Sequence, residues 1–222
     1  MHEICKVKLS GLSRGKFHRR MNLITSHPTL ILYWRSLMTA GSPRKRPQDS
    51  RRSEMLHRFF AGLTEYTFSA RLGVADPPLV DYLSALLAHF VRTDTIYGFR
   101  TPTGERLTQV ADMLAEAQAR EGSARRRVHR HIGDFTLFWT GLYPEIAEQH
   151  RQGRKDSLID YQDQGKRNYL LASRLPADKN SAPDAVLERL SDCFELCVYG
   201  LGEVRKQWEE REENGDAPIL LG

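Results

Sequence analysis

The chain has little cysteine and no long apolar run, and both absences narrow its class. Only three of the 222 residues are cysteines, which is too few for a disulfide framework. Cys193 and Cys197 lie one helical turn apart in an apolar segment, where small buried thiols are expected. No stretch of about 18 uninterrupted apolar residues occurs, so a transmembrane helix is not expected. These features predict a cytoplasmic protein that does not bind a membrane.

The sequence also lacks the short motifs of most metal, nucleotide and hydrolase sites. It has no HExxH motif, no paired-cysteine zinc pattern, no phosphate-binding glycine loop and no G-x-S-x-G turn. Glu54 and His57 have the Glu-x-x-His spacing of di-iron bundles, but the second copy that such a site needs is missing. His129 and His131 are two residues apart, so on a helix they point about 200° from each other and cannot share an ion. We therefore predict no catalytic residue, cofactor or metal ion, and favour a protein that is not an enzyme.

The positive charge of the chain is confined to its first quarter. The formal net charge is +5, but residues 1–53 contain twelve basic and only two acidic residues, a net of +10, which leaves −5 for the rest. A body with that balance has no general attraction for phosphates. Nucleic acid is therefore an expected partner only through the segment 1–53. Its basic run PRKRPQDSRR has no aromatic residue on which a base could stack, so a solvated tail is the favoured interpretation.

Composition divides the chain into three parts. Residues 1–51 are basic and show no sustained helical period, and GSPRKRPQDSRR has the composition of a disordered linker. Residues 1–37 fit an over-extended gene start, with Met38 as the initiator. A helical domain is predicted over residues 52–210, and a tail over residues 211–222.

Apolar residues recur at spacings of three and four through the predicted domain, and no segment alternates as a strand does. The fold class is therefore all-α, a single bundle of six or seven helices. The predicted helices run from residue 52 to Gly73, from Pro77 to Phe90, from Leu107 to Ala117, from Val128 to Tyr143, from Pro144 onward, from Leu158 to Leu175, and from Ser181 to beyond Trp208.

The fourth predicted helix, HRHIGDFTLFWTGLYPE, carries two glycines in its interior. Each costs about 1 kcal/mol relative to alanine, so a close helix crossing is the expected reason. Gly133, Leu137 and Gly141 share one face of this helix. The sixth helix has a matching face, Tyr161, Gly165 and Tyr169, and we predict that the two helices cross at their glycines.

A carboxylate beside that crossing needs a partner, because an unpaired buried charge is costly. Asp134 lies next to the glycine face, and a tyrosine hydroxyl or Arg130 is the predicted partner. The same region is the candidate ligand-binding site, formed by Arg130, His131, Asp134, Tyr161 and Tyr169.

These residues also carry a family resemblance. Gly133-Asp134, Leu137-Phe138 and Gly141, followed by Tyr161, Gly165 and Tyr169, resemble the signature of a family of uncharacterised bacterial all-helical proteins. The similarity covers about residues 52–208 and is most specific over 129–169. It implies the helical fold and brings no activity with it.

Three functions follow from the sequence. The favoured one is a non-catalytic binding or regulatory protein, acting on a protein partner or as a homo-oligomer, because no complete catalytic constellation is present. The first alternative is a small-ligand binder or enzyme with a polar pocket around Asp134, Tyr161 and Tyr169. The second is a nucleic-acid-associated protein that acts through its basic N-terminal arm.

Overall fold

The helical periodicity of the sequence gives an all-α fold. The computed structural model describes residues 48–90, 99–100, 104, 106–152 and 155–215, and over these ranges it contains eight α-helices and no strand. All of them belong to one unit, which extends from Arg46 to Gly222. The helices are α1 (Gln48–Glu65), α2 (Pro77–Phe90), α3 (Val110–Ala119), α4 (Gly122–Leu142), α5 (Pro144–Arg151), α6 (Tyr161–Ser173), α7 (Asp184–Asp192) and α8 (Phe194–Glu213).

The predicted ends of the helical domain differ from the observed ones by a few residues. The first helix begins at Gln48 rather than at residue 52, and the last continues to Glu213 rather than residue 210. The rest of the predicted N-terminal segment, the candidate start at Met38 and the tail beyond residue 215 lie outside the described residues. Among the helices that are described, none is long and apolar enough to cross a lipid bilayer.

Local sequence signals set several helix ends. Asp160 caps α6, since its carboxylate accepts hydrogen bonds from the backbone N–H groups of Gln162 and Asp163 at 2.8 and 3.1 Å. Pro77 occupies the first turn of α2, where a missing N–H costs nothing. The π-helical turn Tyr66–Arg71 follows α1, and Gly73 then turns the chain with a φ of 60° that favours glycine.

One long helix predicted near the C-terminus is two helices in the structure. The chain breaks at Cys193, which has φ −111° and ψ 25°, and α7 and α8 lie on either side of it. Of the two cysteines predicted to be small buried thiols, Cys197 is a buried free thiol, and Cys193 is buried at the break between the helices. The break adds one helix to the six or seven that the sequence predicts.

Helix α4 is the centre of the bundle. It packs against α2, α3, α6 and α8, and every residue from His131 to Trp139 is buried. The helix also begins six residues earlier than predicted, so that Arg126 lies inside it. A helix with neighbours on all these sides has little surface left for solvent, which explains its apolar stripe and its small residues.

Candidate functional site

A buried carboxylate joins three helices beside the α4–α6 crossing. The hydroxyl of Tyr82 on α2 donates a hydrogen bond to Asp134 Oδ1 at 2.5 Å, and the hydroxyl of Tyr169 on α6 donates to the same oxygen at 2.8 Å. Arg130, one turn before Asp134 on α4, places its Nε 3.6 Å from Oδ2. We call these four residues the Asp134 cluster.

Burial dominates the electrostatics of the cluster. The pKa of Asp134 is raised because burial disfavours the charged carboxylate, and the Arg130 charge and the two hydroxyl hydrogen bonds offset part of that rise. The pKa values of Tyr82 and Tyr169 lie well above their ordinary value, first through burial and then through the Asp134 charge. Both phenols therefore keep their protons and act as donors.

The structure brings together three of the five candidate ligand-binding residues, namely Arg130, Asp134 and Tyr169. Tyr82 completes the cluster and was not identified from the sequence, where no motif on α2 distinguishes it. Arg130, whose side chain is 40% exposed, and the half-buried Tyr82 connect the cluster with the surface. The cluster is a pairing of groups within the chain, with the carboxylate as its centre.

Tyr161 belongs to a different polar centre, which corrects the predicted five-residue site. Its hydroxyl donates to Asp156 Oδ2 at 2.7 Å, while Asp156 accepts the backbone N–H groups of Val110 and Ala111, each at 2.9 Å. Asp156 thus caps the N-terminus of α3 from a distant loop, a place where a carboxylate is stabilising. Tyr161 and Tyr169 share a face of α6 but stand eight residues apart, about 12 Å along the axis.

The histidines of α4 lie in two unlike surroundings. His131 packs among aromatic rings, with centroid separations of 4.6 Å to Phe99 and 5.8 Å to Phe90, so it does not join the Asp134 cluster. His129 Nδ1 lies 2.6 Å from Asn168 Oδ1, and burial lowers the pKa of this histidine. Over the described ranges, no three His, Cys, Asp or Glu side chains come together as metal ligands would.

Glycine allows the close approach of α4 and α6. A Cβ built at Gly133 would lie 2.7 Å from the ring of Tyr169, and one at Gly165 would lie 2.7 Å from Thr136 Oγ1 and 2.3 Å from the ring of Phe194. Thr136 Oγ1 in turn lies 3.1 Å from the Gly133 carbonyl oxygen, to which it donates. Both glycines therefore lie at the same crossing, each facing a side chain of another helix.

Gly141, near the end of α4, faces α8 rather than α6. A Cβ at Gly141 would lie 2.8 Å from Leu201 Cβ on α8, so this half of the predicted ridge packs against α8. Leu137, between the two glycines, is fully buried. The face that the sequence assigns to one crossing thus serves two helices in succession.

Arg126 is a buried charged residue that sequence reasoning missed. Its side chain is 2% exposed and donates to three backbone carbonyls, those of Ala172 at 2.6 Å, Leu175 at 2.8 Å and Ala182 at 2.7 Å. Its guanidinium also pairs with Asp184 at 2.7 Å. Through these contacts Arg126 connects the end of α6 and the start of α7 with α4, and its role is structural.

Comparisons with protein families, with curated proteins and with solved structures gave no match to this chain. The family resemblance of residues 129–169 therefore stays a prediction, and the site is interpreted from its own geometry.

The raised pKa of Asp134 gives a pH dependence of stability. The folded chain holds this proton at pH values at which the unfolded chain has lost it. The protonated carboxyl therefore contributes its full stability below the ordinary pKa of aspartate, and this contribution is lost as the pH rises from that value to the raised pKa. Asparagine cannot ionise and keeps an oxygen for both hydroxyls. We expect the melting temperature of the wild type, relative to Asp134→Asn, to fall across this interval and to be constant above it.

Calorimetry of the two proteins between about pH 3 and neutrality measures that difference directly. The comparison cancels the carboxylates that are common to both, including Asp178, whose pKa is lowered by its hydrogen bonds to Ser181 and Arg127. A difference in melting temperature that does not change with pH would contradict a raised pKa at Asp134.

Proposed function

We propose that this chain is a non-catalytic helical-bundle protein that acts by binding another polypeptide through its surface. The observation that carries the proposal is that Asp134 is already paired with groups of its own chain. One oxygen of the only carboxylate in the candidate pocket accepts two hydroxyls, and the other faces Arg130. A ligand would have to displace these intramolecular partners before it could use the carboxylate.

Asp156 and Arg126, two other buried polar residues, are also bonded to groups of their own chain. Asp156 is occupied by two backbone N–H groups and a phenol, and Arg126 by three carbonyls and a carboxylate. These contacts consume polar groups that a catalytic site would need to present to a substrate. They favour binding over catalysis.

The surface offers an apolar stripe along α1 that ends at the first residue of the π-helical turn after it. Met55 and Tyr66 are 48% and 53% exposed, Phe59 is half-buried, and Gly62 is exposed between them. We call these four residues the α1 stripe. A helix that presents apolar side chains in a row is a common element of protein interfaces, where aromatic residues and methionine are enriched.

The pocket alternative is less well supported, because Tyr161 is not in the Asp134 cluster. Arg130 Nε, which is buried without a hydrogen-bond partner, is the one feature that favours it. The nucleic-acid alternative depends on residues 1–53, nearly all of which lie outside the described ranges, and it stays a prediction.

Site-specific photo-cross-linking tests the binding proposal. A photoreactive residue at Met55 of the full chain, expressed in cells, should give a covalent adduct with a polypeptide. The same residue at Lys179, an exposed position in the loop before α7, is the matched control and should give none. Equal adduct formation at both positions, or none at Met55, would count against the proposal.

Native mass spectrometry of the purified chain tests the pocket alternative in parallel. A small molecule retained at one equivalent by the wild type and lost from Asp134→Asn would overturn the non-catalytic proposal. It would instead assign the Asp134 cluster to a ligand.

A further inference from the structure

No contact among the described residues explains the glycine at position 62. A helix-interior glycine costs about 1 kcal/mol relative to alanine. At Gly133, Gly141, Gly165 and Gly200 a Cβ would come within 3 Å of another side chain, which explains why glycine stands there. At Gly62 a Cβ would meet nothing within 4 Å. The space beside Gly62 is therefore open to a side chain of another molecule.

The spacing of the α1 stripe is that of a helix-pairing seam. Met55, Phe59, Gly62 and Tyr66 follow one another at four, three and four residues, the alternation of the d and a positions of a coiled coil. At 100° per residue they lie within about 60° of one another and roughly 120° from the buried face of α1. The seam is therefore available to a second helix beside the chain's own core.

The stripe is complementary to itself in an antiparallel arrangement. When two copies of α1 are related by a two-fold axis near residues 60 and 61, Phe59 lies opposite the partner's Gly62, and Met55 lies opposite the partner's Tyr66. The rigid ring of Phe59 then meets the space beside the glycine. A two-fold axis repeats both contacts, as an isologous interface requires.

Charges beside the stripe specify the same arrangement. Arg58 and Glu65 are exposed and lie on the side of the stripe away from the core, seven residues apart. In the antiparallel pair Arg58 stands opposite the partner's Glu65, and the axis gives two such pairs. Arg58 also contacts Glu54 of its own chain at 2.6 Å, but both side chains are more than 60% exposed, and such pairs are weak.

We infer that the partner bound by the α1 stripe is a second copy of this chain, held in an antiparallel α1–α1 contact with Phe59 over the partner's Gly62 and Arg58 beside the partner's Glu65. The inference rests on the proposed binding function and names its occupant. The seam is short compared with standard interfaces, so we expect a weak dimer that forms at high protein concentration.

Charge reversal tests the arrangement on the full-length chain by sedimentation equilibrium at low salt. Arg58→Glu and Glu65→Arg each place two like-charged pairs in the dimer, and each should weaken self-association about tenfold. The double variant restores two opposite pairs and should associate as the wild type does. A mixture of the two single variants also forms two opposite pairs, so it should yield heterodimers that neither variant forms alone.

Controls separate this geometry from net charge. Lys179→Glu and Glu188→Arg make the same changes in charge at exposed positions in α7 and in the loop before it, and should leave self-association unchanged. Gly62→Gln should raise the melting temperature of the monomer, because glutamine favours the helix, and should weaken the dimer by filling the gap.

Two results would overturn the inference. One is a chain that remains monomeric up to millimolar concentration, and the other is equal association of all the charge variants. Neither result touches the proposed binding function, because an adduct of Met55 with a different polypeptide would still support it. An adduct with the mass of two copies of this chain supports both.

Discussion

Replacing Arg126 with methionine should lower the free energy of unfolding by about 3–5 kcal/mol. The side chain is 2% exposed, and its guanidinium is bonded to the carbonyls of Ala172, Leu175 and Ala182. Methionine fills similar space but removes the donor that these three buried or partly buried carbonyls share, and each hydrogen bond to a charged group contributes about 1.5–3 kcal/mol. Urea denaturation followed by far-UV circular dichroism measures the loss.

The neighbouring arginine supplies the control. Arg127 is 50% exposed and pairs with Asp178 at 2.9 Å, so Arg127→Met should cost less than about 1 kcal/mol. Both variants lose one positive charge from adjacent positions of α4. Equal losses in the two would show that the contacts of Arg126 contribute nothing beyond a surface ion pair.

Replacing Gly165 with alanine should destabilise the fold, although alanine is the better helix former. The new Cβ would lie 2.3 Å from the ring of Phe194 and 2.7 Å from Thr136 Oγ1, closer than real carbon contacts allow. Phe194 is fully buried and Thr136 lies on the central helix, so neither can move away freely. Overpacking costs about 1–3 kcal/mol or more, and a ring at this distance places the variant at the upper end, beyond the gain of about 1 kcal/mol in helix propensity.

Gly62→Ala is the matched substitution with the opposite expected sign. Its Cβ points into open space, so at micromolar concentration the variant should gain up to about 1 kcal/mol. Thermal melts of the two variants beside the wild type give the comparison. Stabilisation by both substitutions would mean that α4, α6 and α8 can separate at no cost, contrary to the close crossing.

The helical class and most helix positions follow from local sequence. The period of the apolar residues, Pro77 and Gly73 mark helices without reference to the rest of the chain, and the all-α prediction is confirmed. The break between α7 and α8 could not be found in this way. Cys193, where the chain leaves the helix, has neither the backbone freedom of glycine nor the fixed φ of proline.

The candidate site was predicted in part, for a geometric reason. Spacing within one helix identifies residues on a common face, and it linked Asp134 with Arg130 on α4 and Tyr161 with Tyr169 on α6. It does not say how far along the axis two helices cross. Only Tyr169 lies level with Asp134, and Tyr161 meets Asp156 instead.

The sequence pattern alone does not identify hydrogen-bond partners that lie on other helices. Tyr82 is 52 residues from Asp134, and no local signal connects them. Arg126 looks like an exposed arginine in a basic run, because its acceptors are backbone carbonyls that any residue type supplies.

The central position of α4 determines how cooperatively the bundle unfolds. Its first half is fastened to α6 and the start of α7, its middle is joined to α2 through Tyr82, and its last turns pack on α8 at Gly141 and Leu201. Helices that precede α4 in the chain and helices that follow it thus complete their burial on this one element. No contiguous half contains a finished core, so residues 48–215 should fold as one cooperative unit rather than as two subdomains in sequence.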